Sequence, residues 1–187
     1  MHFFFAQKEE KNQDLIEQII LENYNCYYRL AYSYVHNEED AGDIVQNGAY
    51  RALKGSHTLK HPEYAQSWVY RIMLNECFRY LKQPKFLSYE AVQEEKGFDM
   101  GYTEDRYMNI DLMQALDSLP AQDKAVVILR FFEDKKLEEI ADILEENVNT
   151  VKSRLYRSMK KLRNTLAADS DEYTYPLNAG KEAQHDL

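Results

Sequence analysis

A chain of 187 residues with a net charge of −9 has room for one large domain or two small ones, each with a modest core. Only six glycines and four prolines, with few alternating apolar runs, point to an all-α fold and away from sheet architectures. No run approaches the length of a membrane span, and Phe3-Phe4-Phe5 is too short for a signal-peptide core before the charged run Lys8 to Lys11, so no membrane insertion and a cytoplasmic setting are expected. Cys26 and Cys77 lack metal-type spacing and read as buried free thiols of a reducing compartment. His2, His36, His57, His61 and His185 are scattered, and the chain shows no phosphate loop and no nucleophile with a base. An enzyme is not expected, nor any metal site or cofactor.

After a tail of residues 1–12, helical spacing of Ile16, Ile19, Ile20, Tyr27, Leu30, Ala31 and Tyr34 predicts one helix from about Gln13 to Val35. Its tyrosines suit the rim of a core better than a stacking platform. Asn37-Glu38-Glu39-Asp40 reads as a helix start in which Asn37 caps and Asp40 returns the bond. The second helix then runs to about Leu53, burying Ala41, Ile44, Val45 and Ala49 or Ala52. Its Asp40, Asp43 and Gln46 form a compact acidic and amide patch.

A third helix is expected from about Glu63 to Gln83, closed by Pro84. Its apolar stripe is Val69, Ile72, Met73, Cys77, Tyr80 and Leu81. Arg71, Asn75, Arg79 and Lys82 lie on the other side, and cations around one amide suit backbone holding and base reading, because Asn can pair with a base edge. Trp68, seven residues before Asn75, is placed either to stack on an unpaired base or at the boundary of the core. Residues 87–108 lose all periodicity, are acidic and carry Gly97 and Gly101, which reads as a flexible linker between two domains.

The second domain, residues 109–167, opens with a helix from Ile110 to Leu119, a break at Pro120, and a helix from Ala121 to Phe132 with one packed and one polar face. Leu137 to Leu144 is a short scaffold helix, Glu145 to Val148 a polar turn, and Asn149 to Leu166 a helix with six cations and no acid. Val151, Leu155, Met159, Leu162 and Leu166 fall on one stripe of this last helix at about 100° per residue. Thr150, Ser153, Arg157, Lys160 and Asn164 fall opposite, flanked by Lys152, Tyr156 and Arg154. Short helix, tight turn, basic helix is the order of a helix-turn-helix whose second helix enters the major groove; a plain helical hairpin is the bland alternative. Residues 168–187 form an acidic tail, expected to lack structure.

Charge is laid out in blocks. Residues 51–86 carry +5 and 149–166 carry +6, whereas 1–50, 87–123, 124–148 and 167–187 carry −6, −7, −3 and −4. A stand-alone DNA binder draws most of its affinity from phosphate neutralisation, so an acidic protein with two basic segments is expected to reach DNA on another molecule.

These residues together resemble an extracytoplasmic-function (ECF) RNA polymerase sigma factor, group IV of the main sigma family, over about residues 13–166. Ala115-Leu116, Leu119-Pro120, Leu129-Arg130-Phe131, Glu138-Glu139-Ile140-Ala141 and Thr150-Val151-Lys152-Ser153-Arg154-Leu155 follow the region 4 pattern in order. Asp40 to Gln46 resembles the region 2 segment that grips the polymerase clamp, and Ser67 to Ile72 with Asn75 the segment that melts and reads the minus-ten element. The resemblance implies a region 2 bundle at 13–86 and a region 4 helix-turn-helix at 109–167, with core RNA polymerase, promoter DNA and an anti-sigma factor as partners.

It further implies that Asp40, Asp43, Ile44 and Gln46 bind polymerase. Asn75 would read a flipped minus-ten base beside Trp68, with Arg71, Arg79 and Lys82 holding phosphates. Lys152, Ser153, Tyr156 and Arg157 would enter the groove at the minus-thirty-five element, with Thr150, Arg154 and Lys160 beside them. The acidic linker would thread a basic polymerase channel. Gly42 stands where the family usually has Glu. Asn47-Gly48-Ala49-Tyr50 replaces Glu-x-Phe, and Asp134 replaces a common Gly. Glu145-Glu146 replace Gly and an apolar residue, so a different turn geometry is expected. The alternative reading is a stand-alone helix-turn-helix regulator, against which stands the second basic set around Asn75.

Overall fold

The computed structural model describes residues 2–83 and 112–172, with side chains from Glu10 to Leu166. The expected linker and nearly all of the acidic tail lie outside the described residues. Every regular element among those described is helical: α1 (His2–Glu22), α2 (Tyr24–Val35), α3 (Glu38–Gly55), α4 (Ala65–Lys82), α5 (residues 112–117), α6 (Ala121–Phe131), α7 (Leu137–Leu144) and α8 (Val148–Glu172). Two single 3-10 turns, Ser56–Thr58 and Pro62–Tyr64, join α3 to α4.

The first expected helix is two. Asn23 leaves the helical region (φ −110°, ψ 13°), and its side-chain amide donates to the Ile19 carbonyl at 2.9 Å while accepting from Gln66 Nε2 at 3.1 Å. Asn side chains compete with the backbone in this way, and the bond to Gln66 of α4 fixes the break. At the other end α1 runs through residues expected as tail. Asn12 is buried and donates to the carbonyls of Ser56 and Leu59, tying α1 to the 3-10 turn after α3.

Asn37 caps α3 as expected, its Oδ1 accepting from the Asp40 N–H at 2.9 Å. Asp40 does not return that bond: its carboxylate accepts from the Tyr80 hydroxyl at 2.6 Å, which pushes the Tyr80 pKa up to about 12. The third helix starts later than expected, because Pro62–Tyr64 forms a 3-10 turn, and Leu81 is exposed while Tyr70 and Leu74 are buried. Gly48 leaves room on α3 for Met73 of α4: a Cβ there would collide with the Met73 sulfur, and Met73 is fully buried. Gly42 has open space around it. Gly42→Ala should therefore stabilise the chain by about 0.5–1 kcal/mol, the ordinary helix-interior difference, read as a higher urea midpoint at unchanged slope.

The second half packs on the first. Ala125, Val126, Val127, Ile128 and Leu129 are all buried, so the middle of α6 packs on every side rather than on one face. One side joins a core shared with Ile16, Tyr27, Leu30, Val69, Tyr70 and Met73; on the other, Val127 meets Leu116 of α5, Leu119 just after it and Leu162 of α8. Cys77 lies in the shared core, where burial pushes its thiol up to about 12. Cys26 is only half-buried, against the expectation of two buried thiols.

Polar bonds also cross the junction. The Tyr34 hydroxyl donates to the Ala121 carbonyl at 2.8 Å, and the buried Lys124 ammonium reaches the Ser33 carbonyl and, at 2.6 Å, Asp117. Glu133, with its side chain 3% exposed, accepts from Arg29 at 3.2 Å and from the Tyr70 hydroxyl at 3.1 Å.

Candidate nucleic-acid interface

The short helix α7 starts with Glu139 accepting from the Lys136 N–H at 2.7 Å and ends on Glu145 at φ 55°. The Glu145 and Glu146 amides both return to the Ala141 carbonyl, as in helices closed by a left-handed residue. The turn thus keeps the backbone that glycine favours, although a glutamate occupies it. Asp134, where the family commonly has glycine, has φ 47°; Asp tolerates this region better than most residues. Asn147 then caps α8, accepting from the Thr150 N–H at 2.8 Å.

On α8 the inward stripe is Val151, Leu155, Ser158 and Leu162, with Met159 and Leu166 exposed where they were expected inside. Lys152, Ser153, Tyr156, Arg157 and Lys160 are exposed, Tyr156 at 75%, and form one outward surface. Thr150 is half-buried at the start of that surface, and the Ser153 hydroxyl donates to the Asn149 carbonyl at 2.9 Å.

Arg154 does not join them. Its guanidinium binds both Glu146 oxygens at 2.8 and 2.9 Å, Asp123 at 2.7 Å and Gln122 at 2.8 Å, and its side chain is 20% exposed. Glu146, then Asp123, hold its pKa above the usual arginine value. Arg154 locks the turn to α6 instead of facing a groove, and Glu146 is the partner that the departure from the family pattern supplies.

The α4 set lies elsewhere in the molecule. Asn75, Arg79 and Lys82 are exposed, with Arg79 paired to Glu76 at 3.0 Å. Arg71 is half-buried and reaches across to the end of α7, donating to the Ile143 carbonyl at 3.2 Å, the Asp142 carbonyl at 2.6 Å and the Glu145 carboxylate. Arg71, Asn75, Phe78, Arg79 and Lys82 line one wall of a cleft of about 570 Å³ whose other wall is Gln122, Ile143, Leu144 and Glu145. Trp68 is half-buried and packs beside Gly55, its ring 3.5 Å from where a Cβ would stand, and it also lines a second cleft.

On α3, Asp43 and Gln46 are exposed and Asp40 is half-buried at their edge. Ile44, expected at the same surface, is 4% exposed and belongs to the core. Its spacing to Ala41 and Val45 places it inward. Among the described residues no cluster of His, Cys, Asp and Glu could hold a metal, and no helix is long and apolar enough to cross a membrane.

Two helical units, one a helix-turn-helix with an outward cationic face and the other carrying a separate cationic set around an exposed asparagine, define the class of DNA-directed helical proteins. The profile for sigma-70 region 2 matches residues 19–85 and that for sigma-70 region 4 matches residues 109–162. The chain is 41% identical over 163 residues to the RNA polymerase sigma factor SigV of Bacillus subtilis, covering 87% of this chain and 98% of that protein. It is 30% identical over 165 residues to the ECF RNA polymerase sigma factor SigE of Mycolicibacterium smegmatis, covering 83% and 63%. The fold is also that of the sigma factor RpoE of Bartonella quintana, solved in complex with the anti-sigma factor NepR: TM-score 0.64, 21% identity, 82% of this chain and 97% of that one. The chain belongs to the sigma-70 family, as an RNA polymerase sigma factor of the extracytoplasmic-function branch.

Proposed function

We propose that this sigma factor carries core RNA polymerase to its promoters through three faces. The exposed side of α3, with Asp43 and Gln46 and with Asp40 at its edge, binds the enzyme. The α4 set of Asn75, Arg79 and Lys82, with Arg71 and Trp68, holds and reads the minus-ten strand. Lys152, Ser153, Tyr156, Arg157 and Lys160 of α8, with Thr150 at its start, read the minus-thirty-five duplex. Ile44 and Arg154 serve as core and scaffold. The protein acts in the cytoplasm without catalysis of its own, binding energy to the unpaired strand supporting the opening. An anti-sigma factor that covers the DNA-facing surfaces fits the same scheme.

The observation that carries this reading is the separation of two exposed cationic sets on different elements of an acidic chain. Run-off transcription from a genomic library, with core polymerase and this chain, tests it directly. Discrete promoters should appear only when both are present. Tight specific binding to promoter duplex without polymerase would instead favour a stand-alone regulator. On a promoter so found, Arg157→Ala should weaken use of the minus-thirty-five sequence by about 1–3 kcal/mol, and an unchanged base preference would remove Arg157 from the reading set.

A further inference from the structure

We infer, on the reading of α4 as the minus-ten face, that Arg51 of α3 joins Arg79 in a two-arginine clamp for phosphates of the unpaired strand, and that the buried carboxylate of Glu76 aims both. Glu76 stands next to the exposed Asn75 on α4, yet its side chain is only 8% exposed. One of its oxygens accepts from Arg51 Nε at 2.8 Å, and the other from Arg79 Nη1 at 3.0 Å. A buried carboxylate is neutralised by one cationic partner. Glu76 has two, so the group keeps an excess positive charge.

That charge faces outward. Both guanidinia are about half exposed. Arg51 keeps both Nη groups, and Arg79 its Nε and Nη2, without a further bond among the described residues. The ratio is the reverse of that around Arg154, where Glu146 and Asp123 share one mostly buried guanidinium. There two acids consume one cation and the cluster is scaffold; here one acid presents two cations to solvent. A guanidinium grips a phosphate through paired N–H groups in one plane, and an edge held on Glu76 fixes that plane before the strand arrives.

The clamp also lies along the minus-ten face. Trp68, Asn75 and Arg79 follow one side of α4 at steps of seven and four, and Arg51 and Gly55 follow one side of α3 at a step of four. The contacts of Glu76 with Arg51 and of Trp68 with Gly55 bring those two sides together as one seam.

The test uses holoenzyme, core polymerase with the full chain, on a fluorescent fork probe of a promoter found by run-off transcription. The probe is duplex through minus thirty-five and single-stranded through minus ten. Arg51→Gln should weaken binding and lower the slope of log affinity against log salt by about 0.7 or more, the value for one single-strand phosphate. Glu76→Gln gives the sharper sign: it removes an acid beside the strand, so a role through charge alone would tighten binding, whereas loss of aim weakens it. Methylphosphonate linkages, introduced one at a time, locate the contact. At one linkage Arg51→Gln should add nothing to the loss, and elsewhere the two losses should add.

A slope unmoved by Arg51→Gln, equal or tighter binding by folded Glu76→Gln, or additive losses at every linkage would overturn the clamp. Urea unfolding accompanies each titration, and Arg51→Gln, at an exposed position, decides alone if Glu76→Gln does not fold. Arg79→Gln keeps the two readings apart. If it too leaves the probe unmoved, α4 is not the minus-ten face and the clamp falls with it; if it weakens binding while Arg51→Gln does not, only the clamp falls.

Discussion

Arg154→Ala should lower the unfolding free energy by about 3 kcal/mol, in the range for removing one member of a partly buried ion cluster, whereas Arg157→Ala should change it by less than about 0.5 kcal/mol. The two arginines are three residues apart on α8 and look alike in the sequence. Arg154 donates four hydrogen bonds to Glu146, Asp123 and Gln122, in a site where the two carboxylates are 19% and 13% exposed. Without it, two acids face each other with reduced solvation and the α7–α8 turn loses its tie to α6. Lysine should restore only part of the loss, since a point charge cannot reproduce a fork spread over three acceptors. Urea unfolding of the three variants checks the ranking, and a stable Arg154→Ala chain would show that the cluster contributes little.

The second large effect is expected at Asn75. It is exposed on α4, at the centre of the cationic set and apart from the core, so its removal should leave stability and polymerase binding unchanged. If it pairs with an unstacked base, Asn75→Ala should reduce open-complex formation by about 1–3 kcal/mol, roughly fivefold to 150-fold. Permanganate reactivity of promoter thymines, measured beside polymerase affinity, separates the two steps. Loss of polymerase affinity in the variant would mark Asn75 as structural.

Periodicity placed α7 to the residue and the start of α8 within one, because each pairs an apolar stripe with a polar side, but α8 runs on to Glu172, six residues past its expected end and into the expected tail. The Asn37 start of α3 was equally plain, since a cap is a local interaction. What escaped depended on contacts distant in sequence. The break at Asn23 is fixed by Gln66, and Asp40 turns away from its own helix start because Tyr80 lies beside it. On α8 a serine, Ser158, holds the buried place where an apolar residue was expected, and Met159 points outward.

The candidate site residues divide in the same way. Exposure of Lys152, Tyr156, Arg157 and Lys160 followed from helical phase. The engagement of Arg154 did not, because its acceptors come from α6 and from a glutamate that departs from the family pattern. Arg71 was harder still: two of its three acceptors are main-chain carbonyls, which no side-chain pattern reveals.

The contact of Gly48 with Met73 has a mechanical side. With only the Met73 side chain between them at that crossing, and with the Tyr80 hydroxyl fastened to Asp40 farther along, the third and fourth helices are pinned together at two points. On the reading proposed above, an enzyme that grips the acidic edge of the one would also set the aim of Asn75 on the other, through a single rigid lever.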